Sequence, residues 1–231
     1  LLDKETIEPD TPAVRLITDY TYDVFGNKET VTVSGGDATA GIDIAPRTTT
    51  TTWGQWDIFK TSSVNNGRFP IEVQNALGHI EYRHHHNLHG TTTKLEGPNQ
   101  LTTEWAYDSF GRKTTETRAD GTSTTITRQW CDGFNGETGN TNCPTGGALA
   151  LTTTTAGAPT TVAYSDKLGR VIRTETEGFD GTAIYTDTVY NAPGQIYRKS
   201  RPYFAGDTAQ WHTLTYDAVG RPVSETAPDG S

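Results

Sequence analysis

Between Leu101 and Tyr107 the chain alternates. Leu101, Thr103, Trp105 and Tyr107 fall on one side of an extended strand, and Thr102, Glu104 and Ala106 on the other. The same period runs through Ile184, Thr186, Thr188 and Tyr190 against Tyr185, Asp187 and Val189. It returns in His212, Leu214 and Tyr216 against Thr213 and Thr215. A period of two puts successive side chains on opposite faces of a strand. Runs at helical spacing with capping residues are absent. Most of the alternating positions are polar, so the expected sheet is thin and wetted on one or both faces.

A six-residue phrase separates these strands. Tyr22-Asp23-Val24-Phe25-Gly26-Asn27 returns as Tyr107-Asp108-Ser109-Phe110-Gly111-Arg112 and as Tyr216-Asp217-Ala218-Val219-Gly220-Arg221. Looser copies are Ser165-Asp166-Lys167-Leu168-Gly169-Arg170, with Tyr164 one place early, and Tyr190-Asn191-Ala192-Pro193-Gly194-Gln195. Asn75-Ala76-Leu77-Gly78-His79, preceded by Gln74, is weaker. Asp or Asn at the first turn position can accept backbone N–H groups of the turn. Glycine three places later supplies a positive φ that side chains resist. The polar residue after the glycine is expected to start the return strand. The tyrosine is expected at a strand end, its ring on neighbouring strands and its hydroxyl on a polar partner.

Ten to twelve residues beyond each phrase glycine comes a second glycine: Gly36, Gly90, Gly121, Gly181, Gly206 and Gly230, three of them preceded by Asp. Asp-Gly is a strong hairpin signal. The unit is therefore strand, Tyr-Asp turn, strand, second turn, with about eight residues per strand. Spacings of 25 and 26 residues between Gly169, Gly194 and Gly220 give the period. The longer gaps suggest two eroded units, one marked by Gly54 and Gly67, the other by Gly136 and Gly146. The expected domain is 1–231, a fragment of a longer protein with about six clear and two eroded repeats. There is no Met to serve as initiator, and no leader-like apolar stretch over 1–10.

Composition fits this picture. Hydrophobic residues are only 32%, yet aromatics reach 10%, which argues against disorder. Threonine, the commonest residue type at 43, favours strands because its branched side chain packs on a pleated surface. A net charge of −9 repels phosphate backbones, so nucleic acid is not an expected partner. No apolar run approaches the roughly 20 residues of a membrane helix.

Six phrases, each with its second turn, make the chain similar to the YD repeats of Rhs proteins. These repeats also occur in Tc toxin B and C subunits, wall-associated protein A and teneurins. The resemblance covers about Tyr20 to Ser231. It implies an all-β fold, antiparallel β-hairpin YD repeats forming a curved sheet or a segment of a spiral Rhs shell. It further implies a secreted or cell-surface bacterial protein, not an enzyme and without cofactors. Its partners would be other segments of the same polypeptide shell and an enclosed C-terminal toxin or effector. The Asp-Pro-x-x-Gly self-cleavage motif of some relatives is absent, so no autoprotease is carried over. A strip this short is expected to form wall rather than a closed cavity, and its two edges to self-associate edge to edge.

The structural turn residues singled out are thus Tyr22, Asp23 and Gly26; Tyr107, Asp108 and Gly111; Asp166 and Gly169; Tyr190, Asn191 and Gly194; Tyr216, Asp217 and Gly220. Cys131 and Cys143 sit in one polar Gly/Asn-rich segment and form either a loop-stapling disulfide or two unpaired thiols; the ease of short closure favours the bridge. His84, His86 and His89, with His85 between them, are weak metal candidates: in a strand His84 and His86 would share a face, but no further ligand is near in sequence. The alternative is a polar strand. No catalytic constellation stands out: repeat aspartates are explained by turns, no Gly-x-Ser-x-Gly elbow occurs, and Gly35-Gly36 precedes no helix. Trp53, Trp56, Trp105, Trp130 and Trp211 could form sugar-stacking platforms or pack between strands. The second reading of the chain is accordingly an extracellular module binding carbohydrate or a cell surface, with a surface glycan as partner. The threonine runs 48–52, 91–93 and 152–155 could carry O-glycans but need no such role as strands.

Overall fold

The computed structural model describes residues 1–11, 13–37, 41–56, 63–133 and 138–231. Gly136, the proposed marker of an eroded repeat, lies outside them. The chain is all β. Eighteen strands pair antiparallel throughout, and no helix occurs among the described residues. The strands fall into two compact units, Leu1–Gly121 and Thr122–Ser231.

In the first unit, β1 (Lys4–Ile7), β2 (Leu16–Tyr22), β3 (Lys28–Asp37), β4 (Ile42–Trp56), β5 (Ser63–Gln74), β6 (Ile80–His85), β7 (Thr92–Glu96), β8 (Thr102–Tyr107) and β9 (Lys113–Thr117) pair in chain order. The second unit repeats the meander with β10 (Ser123–Trp130), β11 (Leu149–Thr155), β12 (Thr161–Ser165), β13 (Val171–Glu177), β14 (Ala183–Tyr190), β15 (Ile196–Ser200), β16 (Tyr203–Phe204), β17 (Trp211–Tyr216) and β18 (Pro222–Thr226). Here β14 is shared, its end pairing with β15 and its start with β16, and β15 then pairs with β17. Tight five-residue turns can join only antiparallel neighbours, which is why the order in sequence is the order in space.

Little of the chain is fully buried: among the described residues Ile71, Ala150 and Tyr164 are the hydrophobic ones in that class. The sheet is held instead by its ladders and by half-buried cross-strand pairs. Hydroxyls meet at 2.7 Å for Thr21 and Thr30, 2.9 Å for Thr32 and Thr48, and 3.0 Å for Thr124 and Thr155. Such pairs explain the abundance of threonine.

Three expectations are corrected. Strands expected at about eight residues run from 2 to 15. Gly54 and Gly67 are not turn glycines: they lie inside β4 and β5. A Cβ on Gly54 would sit 2.5 Å from the Val64 carbonyl oxygen, and one on Gly67 would meet the Phe25 ring, so close approach explains both. Finally, a turn over 97–101 was not expected, because its fourth residue is Gln100 and not glycine. Gly97 donates to the Leu101 carbonyl at 3.0 Å and Gln100 to the Gly97 carbonyl at 2.9 Å. Gln100 takes the positive φ, +63°, usually left to glycine.

Candidate functional site: the Tyr-Asp turn edge

All six phrases fold into one five-residue turn. The first residue donates its N–H to the carbonyl of the fifth, and the glycine donates back to the carbonyl of the first. For Asp108 the two bonds are 3.0 Å to Arg112 and 3.0 Å from Gly111. Its carboxylate completes the turn: Oδ1 accepts the Phe110 and Arg112 N–H groups at 3.0 and 2.9 Å, and Oδ2 accepts Arg112 Nε at 2.7 Å. The sets on Asp166 and Asp217 match it bond for bond. At Asp23, Asn27 replaces the arginine. At Asn191 the polarity reverses, its amide donating to Gln195 Oε1 at 2.9 Å, and Pro193 has no N–H to offer. The residue after the glycine therefore does not begin the return strand, as expected from sequence; it closes the turn. The Arg112 N–H and, behind it, the guanidinium hold the Asp108 carboxyl below its ordinary range.

The opposite edge uses the same backbone turn with the acid moved two places. Asp180 Oδ1 accepts the Thr182 N–H at 2.9 Å and Asp229 Oδ1 the Ser231 N–H at 3.2 Å, while Gly178 or Ala227 fills the first position. This is the structural meaning of the Asp-Gly signal. Counting antiparallel strands along the first unit, the turns 23–27, 86–91 and 108–112 share one edge and 75–79 and 97–101 the other. Asn75 thus heads a Tyr-Asp-type turn on the opposite edge, where no tyrosine precedes it.

The tyrosine of the phrase has a recurring task. Tyr107 donates its hydroxyl to the Thr92 carbonyl at 2.6 Å, Tyr190 to Val171 at 3.0 Å and Tyr216 to Ile196 at 2.7 Å. Thr92, Val171 and Ile196 are each the first residue of the strand leaving the preceding turn on the same edge. The hydroxyl therefore clamps one repeat to the last. Tyr22 reaches Leu2 at 2.7 Å. Trp53, in the repeat marked as eroded, does the same with its indole N–H on Lys28 at 2.8 Å. Sequence reasoning missed Trp53 because it sought tyrosine before aspartate. Tyr164, one place early, falls on the other side of its strand. It is buried, donates to Glu175 at 2.8 Å, and burial with that carboxylate raises its pKa. Tyr107→Phe is expected to cost about 1 kcal/mol, the net worth of one hydrogen bond, in urea unfolding.

Gly111 has φ +75°, and a Cβ there would stand 3.0 Å from the His89 ring. Gly121 has φ +81° with nothing within 4 Å. Gly111→Val should therefore destabilise by about 2 kcal/mol or more, Gly121→Ala by about 1 kcal/mol, compared by thermal melts.

The histidines do not form a metal cluster. No group of three or more His, Cys, Asp or Glu suited to an ion occurs among the described residues. The expected alternation of His84 with His86 does not hold because β6 ends at His85 and His86 opens the turn that closes on Thr91. His84 stacks on Trp56 and His85 on Phe69, both at 4.9 Å, and His86 on His89 at 4.7 Å. His86 stands where other turns have aspartate: its Nδ1 accepts the Leu88 and His89 N–H groups at 3.3 and 3.4 Å. Burial, with Arg83 nearby, lowers the pKa of His85. The unfolded chain then binds the proton more readily, so stability is lost as pH falls below about 6.5. A lower melting temperature of the first unit at pH 5.5 than at 7.5, lessened in His85→Phe, is the expected result.

In the second unit Cys131 and Cys143 form a disulfide within the long connection between β10 and β11. Residues Cys143 to Gly146 of that connection wall a groove floored by β13, β14, β15 and β17.

A strip of antiparallel hairpins, clamped turn to turn by aromatic donors, is the class of protein the geometry defines. Residues 86–123 match the RHS repeat family. The fold of the chain is similar to part of a crystal structure of TcdB2–TccC3 with Cdc42, with TM-score 0.56 and 14% identity over 93% of this chain and 11% of that one. A TcdB2–TccC3 structure matches with TM-score 0.53 and 13% identity over 98% of this chain and 14% of the other. The chain thus spans 11–14% of the length of these structures. Curated protein sequences show no match.

Proposed function

We propose that the chain is a non-catalytic wall segment of an Rhs shell, which encloses or displays a C-terminal toxin or effector polypeptide outside the bacterial cell. The observation that carries this reading is the clamp. The turns headed by Asp108, Asn191 and Asp217 are each tied to the preceding turn on the same edge through a backbone carbonyl, so the strip extends by repetition and needs no thick core. Its mechanism is exclusion. A hydrogen-bonded sheet offers a protease no extended, accessible backbone except at its ends, so a polypeptide behind it escapes cleavage. Its partners are then neighbouring shell segments, with edge-to-edge pairing of the isolated strip through unpaired strand groups. The test is made on the full-length gene product. Electron microscopy should show a hollow particle, and residues after the shell should resist a protease that cleaves them once the shell is denatured. A solid or extended particle, or equal cleavage in both states, would refute enclosure.

A further inference from the structure

We propose that the groove in the second unit is a carboxylate-binding site anchored by Arg198, and that its ligand is an acidic side chain of an extended polypeptide. The site stands on its own geometry and does not depend on what the strip encloses. Register puts the floor on one face: Arg173 lies opposite Asp187, Val189 opposite Arg198, and Ser200 opposite Trp211. These residues are two apart along their strands, so their side chains point the same way. The wall comes from the disulfide connection, Cys143 to Gly146.

Three guanidiniums and two carboxylates line this groove. Arg170 is bonded to Asp166 at 2.7 Å, and Arg173 holds Asp187 through both forks at 2.6 and 2.8 Å. That leaves Arg198 as the cation with no carboxylate. Its guanidinium lies over the Trp211 ring, 4.3 Å from the centroid. Its Nε is shut off from the surface and makes no hydrogen bond. Sealed in this way, Nε cannot itself meet a ligand, and the guanidinium offers the groove its two terminal Nη groups. Stacking fixes the plane of the fork, and a fixed fork matches a carboxylate with two parallel N–H···O bonds.

The surroundings select among anions. A polyanion such as nucleic acid meets a chain of net charge −9, whereas a single carboxylate meets one local positive charge. An acidic sugar would want an open aromatic ring to stack on. Here each ring already bears a guanidinium: Tyr185 under Arg173 at 4.5 Å, Tyr190 under Arg170 at 4.6 Å, and Trp211 under Arg198. Four adjacent strands give a floor about 14 Å across, room for roughly four extended residues.

The probe is a capped Gly-Gly-Glu-Gly-Gly peptide, with its Gln counterpart, sodium acetate and a glucuronate disaccharide beside it. Nitrogen-detected NMR of the arginine Nε–H groups and calorimetry read binding. The Glu peptide should shift the Arg198 resonance, and acetate should shift the same resonance at higher concentration. Arg198→Gln and the Gln peptide should each weaken binding at least tenfold. Arg198→Lys, which keeps the charge and loses the fork, should weaken it severalfold, while Lys199→Gln, the next residue on β15 and on the opposite face, should change nothing. Circular dichroism checks that each variant folds. An Arg198 resonance unmoved by millimolar Glu peptide, or equal affinity in Arg198→Gln, would overturn the site. Lysine at 198 binding as tightly as arginine would overturn the fork, and the disaccharide binding more tightly than the peptide would overturn the polypeptide ligand.

Discussion

Asp187→Ala is expected to lower the unfolding free energy of the second unit by about 3 kcal/mol, because it leaves a half-buried guanidinium without its partner. The Asp187 and Arg173 side chains are only 15% and 22% exposed. Asp187 takes both Arg173 forks and the Tyr203 hydroxyl, the last at 2.6 Å, and Arg173 in turn donates to that hydroxyl at 3.1 Å. Burial alone would raise the Asp187 pKa; the Arg173 fork and the Tyr203 hydroxyl outweigh it and hold it below the usual range. The carboxylate thus stabilises above the ordinary aspartate pKa, and its contribution is lost as pH falls through the lowered value. Asp187→Asn keeps the volume and one acceptor and should cost less than Ala. Arg173→Met in the Asp187→Ala background should recover part of the loss, since no charge is then left unpaired. Urea unfolding followed by tryptophan fluorescence measures all four proteins. A loss under about 1 kcal/mol for Asp187→Ala would place the pair among solvent-screened surface bridges.

This pair was not visible in the sequence, and the reason is instructive. Tyr185, Asp187 and Val189 were read correctly as one face of an alternating strand. What alternation cannot give is the register of the neighbouring strand, which depends on bulges and turns. In five Tyr-Asp hairpins the register slips by one beside the turn, as between Ala106 and Tyr107 or Thr215 and Tyr216. The Arg173–Asp187 ladder itself has no slip, and its register is set by the turn that Gly178 and Thr182 close. The turns themselves were legible because their chemistry is local. Asp108 and Gly111 act within five residues, and Asp, Gly and Arg at fixed offsets announce that. His86 and Gly97 were missed for the converse reason: they fill the aspartate position with other residue types, and only the backbone shows the equivalence. The tyrosine clamp lies between. Its hydroxyl was expected to find a polar partner, but the partner is a backbone carbonyl 15 to 20 residues back, which carries no side-chain signature. Trp53 shows that any aromatic N–H or O–H donor of sufficient reach will serve.

Reduction of the Cys131–Cys143 bridge, or its replacement by a Cys131→Ser/Cys143→Ser double variant, should cost about 3 kcal/mol, the loop-closure value for a loop of this length. The bridge spans 12 residues of a connection poor in apolar side chains. Burial therefore does little to order it, and the folded path depends on backbone bonds such as Cys131 N–H to the Ala148 carbonyl at 2.9 Å and Ala148 N–H to the Ser165 carbonyl at 2.7 Å. Without the cross-link the unfolded chain gains freedom that these few bonds do not offset. In a unit the size of Thr122–Ser231 3 kcal/mol corresponds to roughly 12 °C in melting temperature, which calorimetry with and without reductant resolves. The effect should be confined to the second unit, with the melting of the first unchanged. It should also reach the groove: Cys143 to Gly146 form its wall, so a reduced connection loosens the side of the site facing Arg198 and weakens carboxylate binding. An unchanged melting temperature on reduction would mean that the connection is ordered by its backbone bonds alone. Lost binding with unchanged stability would locate the role of the bridge in the groove and not in the fold.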